Sequence, residues 1–433
     1  MADFQPFRGL RYDRDRAGAL GSVIAPPYDV ISPAQQQALY ELSPYNVVRI
    51  EYGRGQGSER YAAAARLLRD WRGAGMLRRE AAPVYYLYEQ TFRHGGATFR
   101  RRSLFGRCRI EPFERGIVRP HEYTMSGPKE DRLSLLSATR TNVSPIFSLY
   151  EPGAADPIAS LSLDEGSGDV ARAVDLAGEQ HTLAPLTDPA RLSEIEAFLA
   201  PRTLYIADGH HRYETALRFR DERRAAASAW TGDEPENFLL MAVTSAANPG
   251  LLILPIHRIV RPKLVPADLR ERLLGTFSVE ELPGDPTSKE AQDAALARIA
   301  GAASTAFVVC GLLPDRLALL TLRDRAAVEA RMPAERSAAW KALDVNVLQY
   351  GVLDAALGIG IADITAGGAV EFTEDAEEAV GAVRSGHAPL AFLVSAVRPE
   401  QMFAVADTGD RMPQKSTYFY PKLGTGLVLN PLE

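Results

Sequence analysis

Cysteine is nearly absent. Cys108 and Cys310 are the only two in 433 residues, far apart and outside any paired motif. A disulfide framework and a cysteine-built zinc site are therefore excluded as organising devices, and both residues read as free thiols. No run of about 18 apolar residues occurs, so no membrane-spanning helix is expected. An excess of basic charge is missing as well. Lys and Arg number 49 against 55 Asp and Glu, a formal net charge of −6. That balance argues against a dedicated nucleic-acid binder, while a local basic face stays compatible with it. The start of the chain, Met1-Ala2-Asp3-Phe4-Gln5-Pro6, lacks the basic stretch and apolar run of a secretory signal. No repeat of fixed period is found. These absences point to a cytoplasmic protein.

What is present is ordinary for a folded chain: 46% hydrophobic and 24% charged residues. At about 150 residues per domain, two or three domains are expected. Ala25-Pro26-Pro27-Tyr28-Asp29-Val30 cannot be helical through its prolines and reads as an extended segment ending in a turn, with Asp29 either a turn residue or part of a site. Ser32-Pro33 opens a helix that runs to about Tyr40. Val47 to Tyr52 reads as a short strand, and Ser58 caps a helix whose Tyr61, Ala65, Leu68 and Trp71 share one face. Val84–Phe92 and Thr98–Ile110 form a hairpin around His94-Gly95-Gly96. Residues 151–200 read as an irregular, acidic insertion ending in a helix near Leu192–Leu199. Leu204–Ala207 is a buried strand followed by a helix from about Arg212 to Arg224. Beyond Arg261-Pro262-Lys263 the composition shifts to Ala-rich helices alternating with apolar strands, with Leu390–Val394 and Met402–Ala406 as two more strands. The class is α/β, with α+β as the alternative. The domains are 1–265, carrying the insertion at about 151–200, and 266–433.

Chemistry concentrates at Asp208-Gly209-His210-His211-Arg212-Tyr213-Glu214-Thr215-Ala216, where an apolar strand runs into a polar turn and a helix. Gly209 permits a tight turn and close approach of a ligand. Two imidazoles and a guanidinium stand at the positive end of the helix, which favours an anion such as phosphate. The bland alternative has Asp208 capping the helix and the histidines facing water. Metal ligation by the histidines is a further alternative, although adjacent residues at a helix start point apart. A second cluster is Arg119-Pro120-His121-Glu122-Tyr123-Thr124 with Lys129-Glu130-Asp131-Arg132. From Arg93 to Arg132 there are ten Lys and Arg against five Asp and Glu. In this turn-like segment Glu122 or His121 suits a general base, and Lys129 and Arg132 suit a transferring anion. A third is Met412-Pro413-Gln414-Lys415-Ser416-Thr417. Gln414 replaces the glycine that a P-loop needs, and a β-like stretch follows in place of a helix. Lys415 still suits a phosphate as a point charge.

At Asp208 to Ala216 the chain resembles the ParB/sulfiredoxin-like superfamily, whose signature is a short strand followed by a Gly-His-Arg-type turn that holds phosphate at a helix start. Over nearly its full length it resembles a bacterial and archaeal family of unknown function, number 1015. The matching stretches are Ala25-Pro26-Pro27-Tyr28-Asp29-Val30, Arg119-Pro120-His121-Glu122, Pro128-Lys129-Glu130-Asp131-Arg132, Asp208 to Arg212 and Met412 to Pro421. Within the superfamily, ParB proteins bind and hydrolyse a nucleotide, sulfiredoxin phosphorylates a sulfinate, and free-serine kinases phosphorylate L-serine. The family is often associated with serine-biosynthesis genes. Histidines stand here where sulfiredoxin needs a reactive cysteine, and no helix-turn-helix reader is evident, which disfavours sulfinate reduction and a DNA partner.

The resemblance implies a ParB/sulfiredoxin-like core with a large C-terminal α/β extension. It implies a nucleotide-dependent small-molecule kinase that uses ATP or ADP with Mg2+, free L-serine being the first acceptor to try. Under that reading Gly209, His210, His211 and Arg212 hold the nucleotide phosphates, with Lys129, Arg132 and Lys415 as accessory cations. Glu122, His121 and Asp208 form the catalytic set, with Glu122 taking the hydroxyl proton and Asp208 helping to hold Mg2+. A nucleotide-binding regulator with slow hydrolysis and a phosphate-ester hydrolase are the alternatives. A homodimer and the role of residues 266–433 stay open.

Overall fold

The computed structural model describes residues 1–124, 126–165 and 169–433. Two compact units make up the chain. The first comprises Met1–Pro120, Thr124–Leu252 and Pro421–Glu433, and the second His121–Tyr123 and Ile253–Tyr420. The main division thus falls after Leu252, where a break at 265 was expected, and the end of the chain belongs to the first unit. Both units mix helices with sheets, so the fold is of the α/β class.

The first unit is built on a nine-stranded mixed sheet. Its strands are β1 (Phe4–Gln5), β2 (Tyr85–His94), β3 (Ala97–Arg109), β4 (Val118–Pro120), β5 (Ile146–Tyr150), β6 (Ala171–Val174), β7 (Gln180–Leu186), β8 (Leu204–Asp208) and β9 (Phe238–Ser245). Across the sheet the order is β4-β8-β5-β9-β3-β2-β7-β6, with β1 on β3. The expected hairpin is β2–β3, turned by Gly95 and Gly96 at φ of 54° and 79°, a pair of left-handed positions that suits a two-residue loop. Helices α1 (Pro33–Leu42), α2 (Gly57–Gly73), α3 (Ser126–Thr139), α4 (Pro189–Leu199) and α5 (His210–Ala226) complete the unit. Leu133 and Leu136 of α3, Ile195 and Leu199 of α4, and Tyr213, Ala216 and Phe219 of α5 join Leu87, Leu104, Ile206, Met241 and Val243 of the sheet in one core. Each buried Leu, Ile, Val, Met or Phe among them contributes about 1.5–3 kcal/mol by leaving water.

The chain's last residues are tied into this unit. Buried Arg101 donates to the Pro421 carbonyl and to Gln90 Oε1, both at 2.6 Å, Thr425 exchanges backbone bonds with Ala25, and Asn430–Pro431 pairs with Thr141–Asn142.

Four local expectations are corrected. Val48–Glu51 is a helical turn, not a strand. Asn46 Oδ1 accepts from the Val48 N–H at 2.9 Å, and the burial of Val47, Val48 and Ile50 together selects the helix. The segment around Lys129 is helix α3, because Gly127-Pro128 at its start is compatible with a first helical turn. Residues 151–200, of which 166–168 lie outside the described residues, supply strands β6 and β7 to the main sheet. Met402–Ala406 lies in the helix Pro399–Asp407, opened by Pro399, and its apolar run is buried as a helix. Short apolar runs do not distinguish the two states.

The second unit holds a six-stranded sheet of β10 (His257–Val260), β11 (Phe277–Leu282), β12 (Ala306–Leu313), β13 (Arg316–Leu322), β14 (Val370–Thr373) and β15 (Leu390–Leu393). Its order is β11-β13-β12-β15-β10-β14, with antiparallel pairing throughout. The helices Lys289–Ala300 and Ala376–Arg384 bury Ala295, Ile299, Ala379 and Val380 against it. Among the described residues no helix is long and apolar enough to cross a membrane.

Candidate phosphate site

Strand β8 carries an irregularity at its end. Ile206 pairs with Ser148 and Asp208 with Phe147, so Ala207 is an extra residue on β8. Such bulges re-aim side chains beside functional sites. Gly209 follows at φ 93°, and the first bond of α5 runs from the Tyr213 N–H to the Gly209 carbonyl at 3.0 Å. The N–H groups of the first helical turn lack intrahelical acceptors and carry the positive end of the dipole. A Cβ at position 209 would lie 3.1 Å from the Arg212 guanidinium atoms, in a backbone conformation that L residues rarely adopt. Gly209→Ala is therefore expected to cost about 1–2 kcal/mol, read as a lower midpoint in urea unfolding, and to displace Arg212.

Asp208 does not cap α5; Gly209 occupies that position. The Asp208 carboxylate instead receives Arg212 Nη2 on Oδ2 at 2.5 Å and the Lys422 ammonium on Oδ1. Arg212 Nη1 also donates to the Pro145 carbonyl. All three charged side chains are largely buried. Burial alone would raise the Asp208 carboxyl, but Lys422 and then Arg212 hold it well below the usual carboxylate range. One carboxylate facing two cations leaves excess positive charge at the mouth of a helix. Because both its oxygens are taken by cations, Asp208 does not fit the Mg2+ ligand expected of it. It fits the role of holding Arg212 and Lys422 in place.

His210 is buried and His211 half-buried at the start of α5. Burial first, with the charges of Lys129 and Arg212, lowers the pKa of His211 against the opposing charges of Glu214 and Asp29. His211 therefore stays neutral at pH 7, able both to donate and to accept. Lys129 Nζ lies 2.9 Å from Glu214 Oε2, which also accepts from the Thr124 hydroxyl at 2.6 Å. Arg132 is buried. Its guanidinium donates to the Glu51 carbonyl at 2.9 Å and to Asp131, and stacks 4.0 Å from the Tyr28 ring. Glu51 Oε1 in turn accepts from the Ser144 hydroxyl at 2.5 Å. A cavity of about 50 Å³ adjoins Glu51, Arg132, Ser144 and Arg212. Arg132 thus braces the site from within. The Tyr28–Val30 turn that it holds carries Asp29, an exposed carboxylate within electrostatic reach of His211.

His121, Glu122 and Lys415 belong to the second unit, with a geometry of their own. Buried His121 shares a hydrogen bond between Nε2 and the Thr417 hydroxyl at 2.9 Å, and its carbonyl accepts from the Met412 N–H at 2.6 Å. Glu122 forms a parallel bridge with Met412, and its Oε1 accepts from the Lys415 N–H at 3.4 Å. Lys415 sits at φ 58°, with its carbonyl 3.1 Å from Arg258 Nη2. Burial pushes Arg258 down to about 10, against the opposing charge of Glu122. The second sequence cluster therefore divides between the units: Lys129 and Arg132 share the first with Asp208 to Arg212, while His121 and Glu122 share the second with Lys415.

Sequence reasoning missed Lys422, Glu51, Glu214 and the bracing by Tyr28. Lysine is scarce, six against 43 arginines, so a lysine just after Tyr418-Phe419-Tyr420-Pro421 was a usable signal for the first of these.

No curated protein matches the sequence. Solved structures to which the chain is similar include a mutant free serine kinase in complex with ADP, at 13% identity over 72% of this chain and 89% of that chain, with a TM-score of 0.35. A conserved hypothetical protein from Pyrococcus furiosus is similar at 14% identity over 72% and 92% of the two chains, with a TM-score of 0.32. SbnI with a C-terminal truncation, from Staphylococcus aureus, is similar at 11% identity over 71% and 81%, with a TM-score of 0.30. The family described as "Protein of unknown function (DUF1015)" matches residues 4–346, most of the chain, and the protein belongs to that family.

Proposed function

We propose that this protein is a cytoplasmic kinase of small molecules. It binds a nucleotide by its phosphates at the Asp208–Arg212 turn and transfers a phosphoryl group to a hydroxyl. The observation that carries this reading is the pair of buried cations, Arg212 and Lys422, held by one carboxylate where α5 opens after Gly209. Phosphoryl transfer asks a protein mainly for positioning and charge neutralisation, which is what this arrangement offers. Arg212 supplies a planar fork for phosphate oxygens, Lys422 a point charge, and neutral His211 a further donor. Lys129, beside Glu214, is an accessory cation.

In the transfer, the acceptor hydroxyl oxygen bonds to the terminal phosphorus, and the bridging P–O bond to the nucleotide breaks. The nucleotide leaves one phosphate shorter, and the hydroxyl proton passes to a carboxylate. Asp29 is the first carboxylate to assign this role, since it is exposed and lies within reach of His211. Glu122 is the other carboxylate to test. L-serine, giving O-phosphoserine, is the first acceptor to try because the local resemblance at Asp208 to Ala216 implies it.

The test is mass spectrometry of purified protein incubated with Mg2+, ATP or ADP, and a pool of amino acids and hydroxylated metabolites. Phosphoserine formed with one of the two nucleotides is the expected result, and it identifies the donor. Bound nucleotide with no phosphorylated product would replace the kinase by a nucleotide-binding regulator. Phosphate released from phosphoserine without nucleotide would replace it by a hydrolase.

A further inference from the structure

The turn joining β6 to β7 in the first unit gathers Asp175, Glu179 and His181. One ligand atom from each lies within 4.8 Å of the others, and among the described residues this is the one such group. His181 is 2% exposed. Its Nδ1 lies 2.7 Å from the hydroxyl of Tyr88, a buried residue of the neighbouring strand β2 and not a member of the group. The ring is thereby held from behind, and Nε2 is aimed at the carboxylates, 3.1 Å from Asp175 Oδ2. Asp175 Oδ1 is occupied by the N–H groups of Ala177 and Glu179, both at 2.9 Å, which leaves Oδ2 facing the ring. Glu179 Oε2 accepts from Gln90 Nε2 at 2.7 Å. Burial first, and then the charge of Asp175, raises the Glu179 carboxyl, so the two acids are pressed together at a cost. Arg101 also faces Glu179 and offsets part of that charge.

A buried imidazole nitrogen, oriented by a hydroxyl at its far side, with two carboxylates in front of it, is a mixed nitrogen and oxygen donor set. Such a set suits zinc or manganese, whereas magnesium and calcium favour oxygen donors alone. With Nε2 free to ligate, Nδ1–H donates to the Tyr88 hydroxyl oxygen, the kind of outer hydrogen bond that fixes the orientation of a ligating histidine. We propose that Asp175, Glu179 and His181 bind one divalent transition-metal ion of the zinc class. The donors are His181 Nε2 and one oxygen from each carboxylate, and water from the exposed side at Leu176–Gly178 completes the shell. The ion pins the β6–β7 turn, and the proposal stands independently of the phosphate site.

The test is zinc titration of the full chain after chelator treatment, followed by calorimetry and by elemental analysis after dialysis. One zinc per chain is expected. An Asp175→Asn, Glu179→Gln double variant is expected to bind at least tenfold more weakly, while a variant of the exposed His387 of the second unit, His387→Gln, binds as the wild type does. Buried His181 is a hazardous position to change, so the two turn carboxylates decide the matter. Absence of zinc uptake by the wild type, or undiminished uptake by the double variant, would overturn the proposal.

Discussion

Asp208→Asn is expected to lower the stability of the protein by about 3 kcal/mol, the usual scale for removing one partner of a buried ion pair. The amide cannot balance charge, so Arg212 and Lys422 are left facing each other with little water around them. Urea unfolding at pH 7 measures the loss. Acid gives a second signature with a definite sign. The folded-state pKa of Asp208 lies below its ordinary value of 3.8. The stabilisation is therefore fully present above that value and is lost as pH falls through the depressed one. The gap between wild type and variant should accordingly stay constant from neutrality to about pH 5 and narrow below about pH 4. A gap that is small at pH 7, or that does not narrow in acid, would mean that the carboxylate does not hold the two cations.

The second large effect concerns turnover. Asp29→Asn is expected to reduce phosphoryl transfer about 100-fold or more, the range typical of a lost general base. Nucleotide affinity should change little, because the proposed phosphate contacts are Arg212, Lys422 and the start of α5. Folding should change by no more than about 0.5 kcal/mol, since Asp29 is exposed on a turn already held by Pro27 and by Tyr28 against Arg132. Single-turnover rates with saturating nucleotide measure this, with Glu122→Gln assayed in parallel. If Glu122→Gln abolishes turnover and Asp29→Asn leaves it intact, Asp29 is only a turn residue.

How much was legible in the sequence depends on how local each feature is. The strand, glycine turn and helix from Leu204 to Ala226 lie within one short stretch, and their chemistry shows in the residue order. The same holds for the β2–β3 hairpin, whose two left-handed turn positions favour the Gly95-Gly96 pair. Lys422 was invisible as a partner of Asp208 because 214 residues separate them and no periodicity links them. Arg132 was legible as a cation but not as a brace, since its stacking on Tyr28 and its pairing with Glu51 depend on three distant segments. Val47–Ile50 and Met402–Ala406 share one reason for being misread: a short, mostly apolar and mostly buried run looks alike as a helix or a strand. The segment 151–200 looked like an insertion because its acidic turns hid two strands that complete the sheet edge.

The central claim, that the Asp208–Arg212 turn is a phosphate site, is tested most directly by calorimetric titration of ADP into the wild type and into Arg212→Ala. The variant keeps the Asp208–Lys422 pair and so retains the local fold. The account predicts that the wild type binds ADP and that Arg212→Ala binds it about tenfold more weakly or worse, the scale of a lost charged hydrogen bond. Equal binding by the two proteins, or no binding by the wild type, would contradict it.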